Sequence, residues 1–183
     1  MSRPRVVCAL GLAAALLSGS AAAHDTKKAG AVTLTLGWGD EPAFSGSRNS
    51  IDIDVKDARG APVADPAATL AVEVSFGEER VSLPLAPAAD RPGRFQAWLV
   101  PTRPGTYTFH VTATLRGQAI DVTSTCSDAT FECVADVSGV QFPAKDPSAG
   151  QLAEGVSRAL PRAVRAMEEA ATAGTLRFAR LAV

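Results

Sequence analysis

"RFQAWLVPTRPGTYTFHVTATLRGQAIDVTST", residues 94–125, decides the fold. Apolar and polar residues alternate over 94–100, 106–115 and 118–125, and the runs are parted by "PTRPG" and "RG". A period of two is the signature of a strand with one buried face. It places Tyr107, Phe109, Val111, Ala113 and Leu115 inward, and His110 outward among Thr108, Thr112 and Thr114. Two residues between two such runs predict a tight hairpin turn.

The same pattern extends toward the N-terminus. "VTLTLGW" (32–38), "SIDIDVKD" (50–57), "TLAVEVSF" (69–76) and "RVSLPL" (80–85) each alternate. Ile51, Ile53 and Val55 share the inward face of the second run, which leaves Asp52 and Asp54 on an ordinary solvated face. Leu70, Val72, Val74 and Phe76 do the same in the third. The turn "GEE" predicts a hairpin between 69–76 and 80–85, and Pro84 puts the latter at an edge or ends it early. Seven short strands with frequent turns and no helical period between them predict an all-β, antiparallel sandwich over residues 31–143. Tyr107 opens a late strand just after a Pro-Gly corner. That is the place of the tyrosine corner of immunoglobulin-type sandwiches, although a plain buried aromatic fits the same pattern.

From residue 148 the period changes. Leu152, Val156, Leu160, Val164, Met167 and Ala171 recur every three or four residues in an alanine-rich segment, which predicts an amphipathic helix over 148–183. Ser148 is placed to cap it, Pro161 to kink it and Gly174 to break it near its end. Such a helix packs on the sandwich edge, hangs as a loosely held tail, or serves as a stalk or a helix that binds a partner or a membrane.

At the other end, Arg3 and Arg5, the apolar run 6–17 and "AAA" at 21–23 predict an export signal cleaved near Ala23. The apolar run is too short to cross a bilayer, which takes about 20 residues. Residues 24–30 read as a polar lead-in. Loss of residues 1–23 takes the formal charge from −1 to −3, a balance that speaks against nucleic-acid binding. In an exported chain the remaining pair, Cys126 and Cys133, predicts a disulfide that pins a local turn. A redox or metal pair is the alternative, but the C-x6-C spacing is not that of thioredoxin-like chemistry.

"GWGDEPAFSGSRNSIDIDVKDARGAPV" (37–63), "GRFQAWLVPTRPGTYTFHVTATLRGQAIDVT" (93–123) and "TFECVADVSGVQFP" (130–143) together resemble a largely uncharacterised family of exported bacterial Ig-like domains. The resemblance covers roughly residues 32–143. The family is similar in design to YtkA-like and CopC-like periplasmic domains. It implies an immunoglobulin-like sandwich, an envelope location and neighbours that handle copper. Many members carry a C-terminal helix followed by a membrane anchor. Here "LRFARLAV" holds Arg177 and Arg180 and is too short to span. The shared motifs are structural, namely turn glycines, a core Trp and a corner Tyr.

Catalysis is not expected. The chain lacks a G-x-S-x-G elbow and shows no nucleophile–base pairing. The one sharp chemical candidate is His24. Cleavage after Ala23 makes it residue one, where its amine and imidazole chelate Cu(II). Cleavage after Ala21 makes it residue three of an amino-terminal copper/nickel motif. Cleavage after Ala22 weakens both. CopC-like proteins add a second histidine, and His110 is the other histidine in the chain. The expected function is therefore a non-enzymatic accessory domain of the envelope that recognises a protein partner. The alternatives are a Cu(II)-binding protein centred on His24, and a module that associates through residues 148–183 with a membrane or partner.

Overall fold

A computed structural model describes residues 24–64 and 69–181, with side chains in the terminal helix through Ala173. The predicted export signal, residues 1–23, lies outside the described residues. Two antiparallel sheets face each other. One contains β1 (Asp25–Ala29), β2 (Val32–Trp38), β3 (Asn49–Asp57), β6 (Ala86–Pro87) and β7 (Arg94–Leu99), in the order β1-β2-β3-β7-β6. The other contains β4 (Thr69–Phe76), β5 (Glu79–Pro84), β8 (Thr108–Leu115) and β9 (Gln118–Thr125), in the order β5-β4-β8-β9. The predicted sandwich is present, with nine strands among the described residues instead of seven.

Alternation places the core. Leu34, Leu36, Ile51, Ile53 and Val55 from one sheet meet Val72, Val74, Phe109, Val111 and Leu115 from the other, all of them buried. At one end Trp38 is fully buried and meets Tyr107, Phe109 and Phe131 edge-on. Its indole N–H donates to the Glu132 carbonyl at 3.0 Å. Tyr107 makes the predicted corner, with its hydroxyl donating to the Arg103 carbonyl at 3.0 Å. The β8–β9 turn uses Arg116 and Gly117 at φ 49° and 77°, the twist that a two-residue hairpin requires. The disulfide Cys126–Cys133 spans Cα atoms 5.0 Å apart and holds the segment that caps Trp38.

Three expectations are corrected. Residues 24–30 are not a mere lead-in: 25–29 form an edge strand, paired from Asp25↔Leu36 to Ala29↔Val32. An edge strand needs no apolar alternation, so its polar sequence hid it. The two-residue β6 was missed as well. Finally, α1 (Ala149–Leu181) runs on through Gly174 instead of breaking there. Its start follows expectation: the Ser148 hydroxyl accepts from the Gln151 N–H at 3.2 Å and the Gln151 side chain accepts from the Ser148 N–H at 2.8 Å, a reciprocal cap.

Candidate interaction surfaces

The two lateral sides of the sandwich differ. On one side β1 meets β9. The Ser124 hydroxyl donates to the buried Asp25 carboxylate, which Lys27 also contacts at 2.9 Å. The Ala31 N–H reaches the Gln118 side chain at 3.4 Å. These contacts join the sheets along that side.

The opposite side stands open. β5 is an edge strand, and β6 pairs with β7 only at Phe95 and Gln96, so from Ala97 to Leu99 β7 pairs with β3 on one side and, among the described residues, with no strand on its outer side. Between these two edges lies a groove of about 500 Å³, floored by Val74, Phe76 and Tyr107 and walled by Val81, Leu99 and Val100. Val81 marks the gap. It is paired with Val74, which is 4 % exposed, yet is itself 48 % exposed. Val100 across the groove is 47 % exposed. A core-facing position thus lacks a cover from the other sheet. Glu79, Arg80 and Arg103 form a charged rim. Burial pushes the Tyr107 phenol above its ordinary pKa, so the hydroxyl stays a donor to Arg103 throughout the neutral range.

The outer face of the first sheet overturns the expectation for Asp52 and Asp54. Asp52 is only 3 % exposed. Arg94 lies beside both acids, donating to Asp52 at 3.0 Å and twice to Asp54 at 2.9 and 2.6 Å. Gln96 and Ser50 complete Asp52 at 3.0 and 2.6 Å. Gly39 closes over this layer, and a Cβ there would collide with the Ser50 hydroxyl. The guanidinium of Arg94 holds the Asp54 carboxyl below its ordinary pKa. Alternation gave the correct face but could not show that a loop covers it. Beside it, Arg48 stacks 3.8 Å from the centre of the half-exposed Trp98 ring.

The two candidate metal residues lie on different segments. His24 is half-buried just ahead of β1. His110 lies on the outer face of the second sheet, as predicted, with Nε2 2.9 Å from Asp121. Among the described residues, no three His, Cys, Asp or Glu side chains are grouped to hold a metal ion. Cys126 and Cys133 are joined to each other. Near them, burial and then the neighbouring Glu132 raise the pKa of Glu41, and its Oε1 is buried without a hydrogen-bond partner.

The helix projects its apolar stripe into solvent. Leu152, Val156, Leu160, Val164 and Met167 are 55, 62, 61, 40 and 64 % exposed. The helix meets the sandwich at its base. There Arg103 approaches Glu154 at 3.4 Å and packs so closely on Gly150 that a Cβ would collide with it. Among the described residues, no helix is long and apolar enough to cross a membrane.

No family model and no curated protein matches this chain. Two solved structures are similar in part. A DUF4426 family protein from Pseudomonas aeruginosa PAO1 is 12 % identical over 56 % of this chain and 92 % of its own, with a TM-score of 0.46. The Lin-41 filamin domain is 16 % identical over 51 % of this chain and 92 % of its own, with a TM-score of 0.32. With TM-scores below 0.5, neither likeness bears on function.

Proposed function

We propose that the chain is an exported, non-enzymatic binding module of the bacterial envelope. It takes an extended segment of a partner protein into the groove between β5 and β7. The observation that carries this is Val81, a core-facing side chain left half exposed between two strand edges. An extended segment laid there would hydrogen-bond to a free edge while its alternate side chains covered Val81, Leu99 and Val100. The test is selection of random ten-residue peptides on the purified protein, followed by amide chemical-shift mapping. Shifts confined to 79–84 and 97–101, lost in Val81→Glu, are expected. Peptides that map elsewhere, or none recovered, overturn the proposal.

A second reading has one observation in its favour. β1 anchors the residue next to His24, so a terminus created after Ala23 would be a fixed one. Its amine and imidazole then suit Cu(II). One equivalent of Cu(II) added to the processed protein, followed by EPR, tests it. An identical spectrum from His24→Ala ends it.

A further inference from the structure

We infer that α1 is an interfacial helix that lays its apolar face on an anionic lipid surface, a role separate from the groove. At 100° per residue, Leu152, Val156, Leu160, Val164 and Met167 fall within about 120° of arc. Glu154, Arg158, Arg162, Arg165, Glu168 and Glu169 fall within a second arc of about 120° on the opposite side. Ala159, Ala163, Ala166, Ala170 and Ala173 fill one flank, so roughly half the circumference is apolar. Every described side chain from Gln151 to Ala173 lies exposed, apart from the half-buried Gly155. A helix that is apolar over about half its circumference and charged opposite is the kind that lies in the plane of a membrane interface and does not cross it.

Two other occupants fit less well. The sandwich touches the helix through Arg103 at Gly150 and Glu154, on the first turns. A second copy of α1 would need a narrow seam with alternating three- and four-residue spacing. The steps of four from Leu152 to Val164 drift away from such a seam by about 40° each. A flat surface tolerates that drift, because it wets the whole face.

Charge selects the kind of surface. Residues 148–183 carry five bases against three acids, whereas residues 24–147 carry eleven against sixteen. The negative balance therefore sits on the sandwich, and the positive surplus comes from Arg177 and Arg180 toward the far end of the helix. All five bases are arginine, a residue type whose planar fork matches phosphate oxygens. Pro161 fits the same arrangement. It lies on the charged side, so the Ser157 carbonyl that it leaves without an intrahelical N–H meets water, not lipid.

The test is flotation of the full processed protein with vesicles of phosphatidylcholine alone or of equal phosphatidylcholine and phosphatidylglycerol. Binding to the anionic vesicles, at least about ten-fold stronger than to the neutral ones and reversed by high salt, is expected. Leu160→Glu with Val164→Glu should abolish it. The triple change of Arg158, Arg162 and Arg165 to Gln should weaken it about ten-fold or more. Thermal unfolding of the sandwich should be unchanged in both variants, and Val81→Glu should bind vesicles normally, which separates this surface from the groove. No flotation, equal binding to both vesicles, or full binding by the Leu160/Val164 variant overturns the inference. So does a stable dimer in light scattering that the Leu160/Val164 variant breaks without any lipid binding.

Discussion

The sandwich and the helix use similar apolar side chains to opposite ends. In the sandwich Leu34, Ile53 and Val72 have no exposed surface. In the helix Leu160 and Val156 are more than half exposed. The difference teaches that periodicity reports which residues share a face, not whether anything covers it. Coverage is a property of the partner surface, and only the sandwich carries its own.

Substitution separates the two regions. The largest effect is expected from Trp38→Ala, which empties the centre of the aromatic cluster and removes the bond to Glu132; unfolding in denaturant should show a loss of about 3–5 kcal/mol. A fall below 1 kcal/mol would mean that the cluster does not organise this end of the core. Arg94→Met comes next, with a loss of up to about 3–5 kcal/mol at neutral pH, because Asp52 stays buried without its counter-charge. That loss should depend on pH. Asp54 has a lowered pKa when folded, so its pairing stabilises above the ordinary carboxylate range and fades as pH falls through the lowered value. Stability curves of the two proteins should therefore converge in acid; parallel curves would argue against the ion pair. Tyr107→Phe removes only the corner bond to Arg103 and should cost about 1 kcal/mol by the same measurement. The smallest effect is expected from Leu160→Ala, within about 0.5 kcal/mol of the parent in water without lipid. A loss like that at Trp38 would show that the stripe is covered in solution.

Much of the fold was legible. The inward faces of β3, β4 and β8, the β8–β9 turn, the tyrosine corner and the disulfide all follow from local signals: period two, turn residues and cysteine pairing. β1 was not legible, because a polar edge strand is defined by its neighbour and not by its own pattern. Asp52 shows a second limit. It alternates outward as expected, but it is enclosed by Arg94, 42 residues later, and by the close approach of Gly39. The groove shows a third. Val81 has the parity of a core residue in "RVSLPL", and no local signal says that the opposite sheet stops short of it. Sequence reasoning singled out His24 and His110 by residue type; the groove residues carry no such mark.

Arg103 has a mechanical consequence. Its carbonyl receives the corner tyrosine, its side chain meets the base of α1, and it stands on the rim of the groove. A helix of 33 residues is about 50 Å long. A tilt of about 10° at this pivot would carry its far end through roughly 9 Å. A tilt about Arg103 would thus turn a short displacement at the groove into a long sweep at the tip, in the proportions of a lever and its fulcrum.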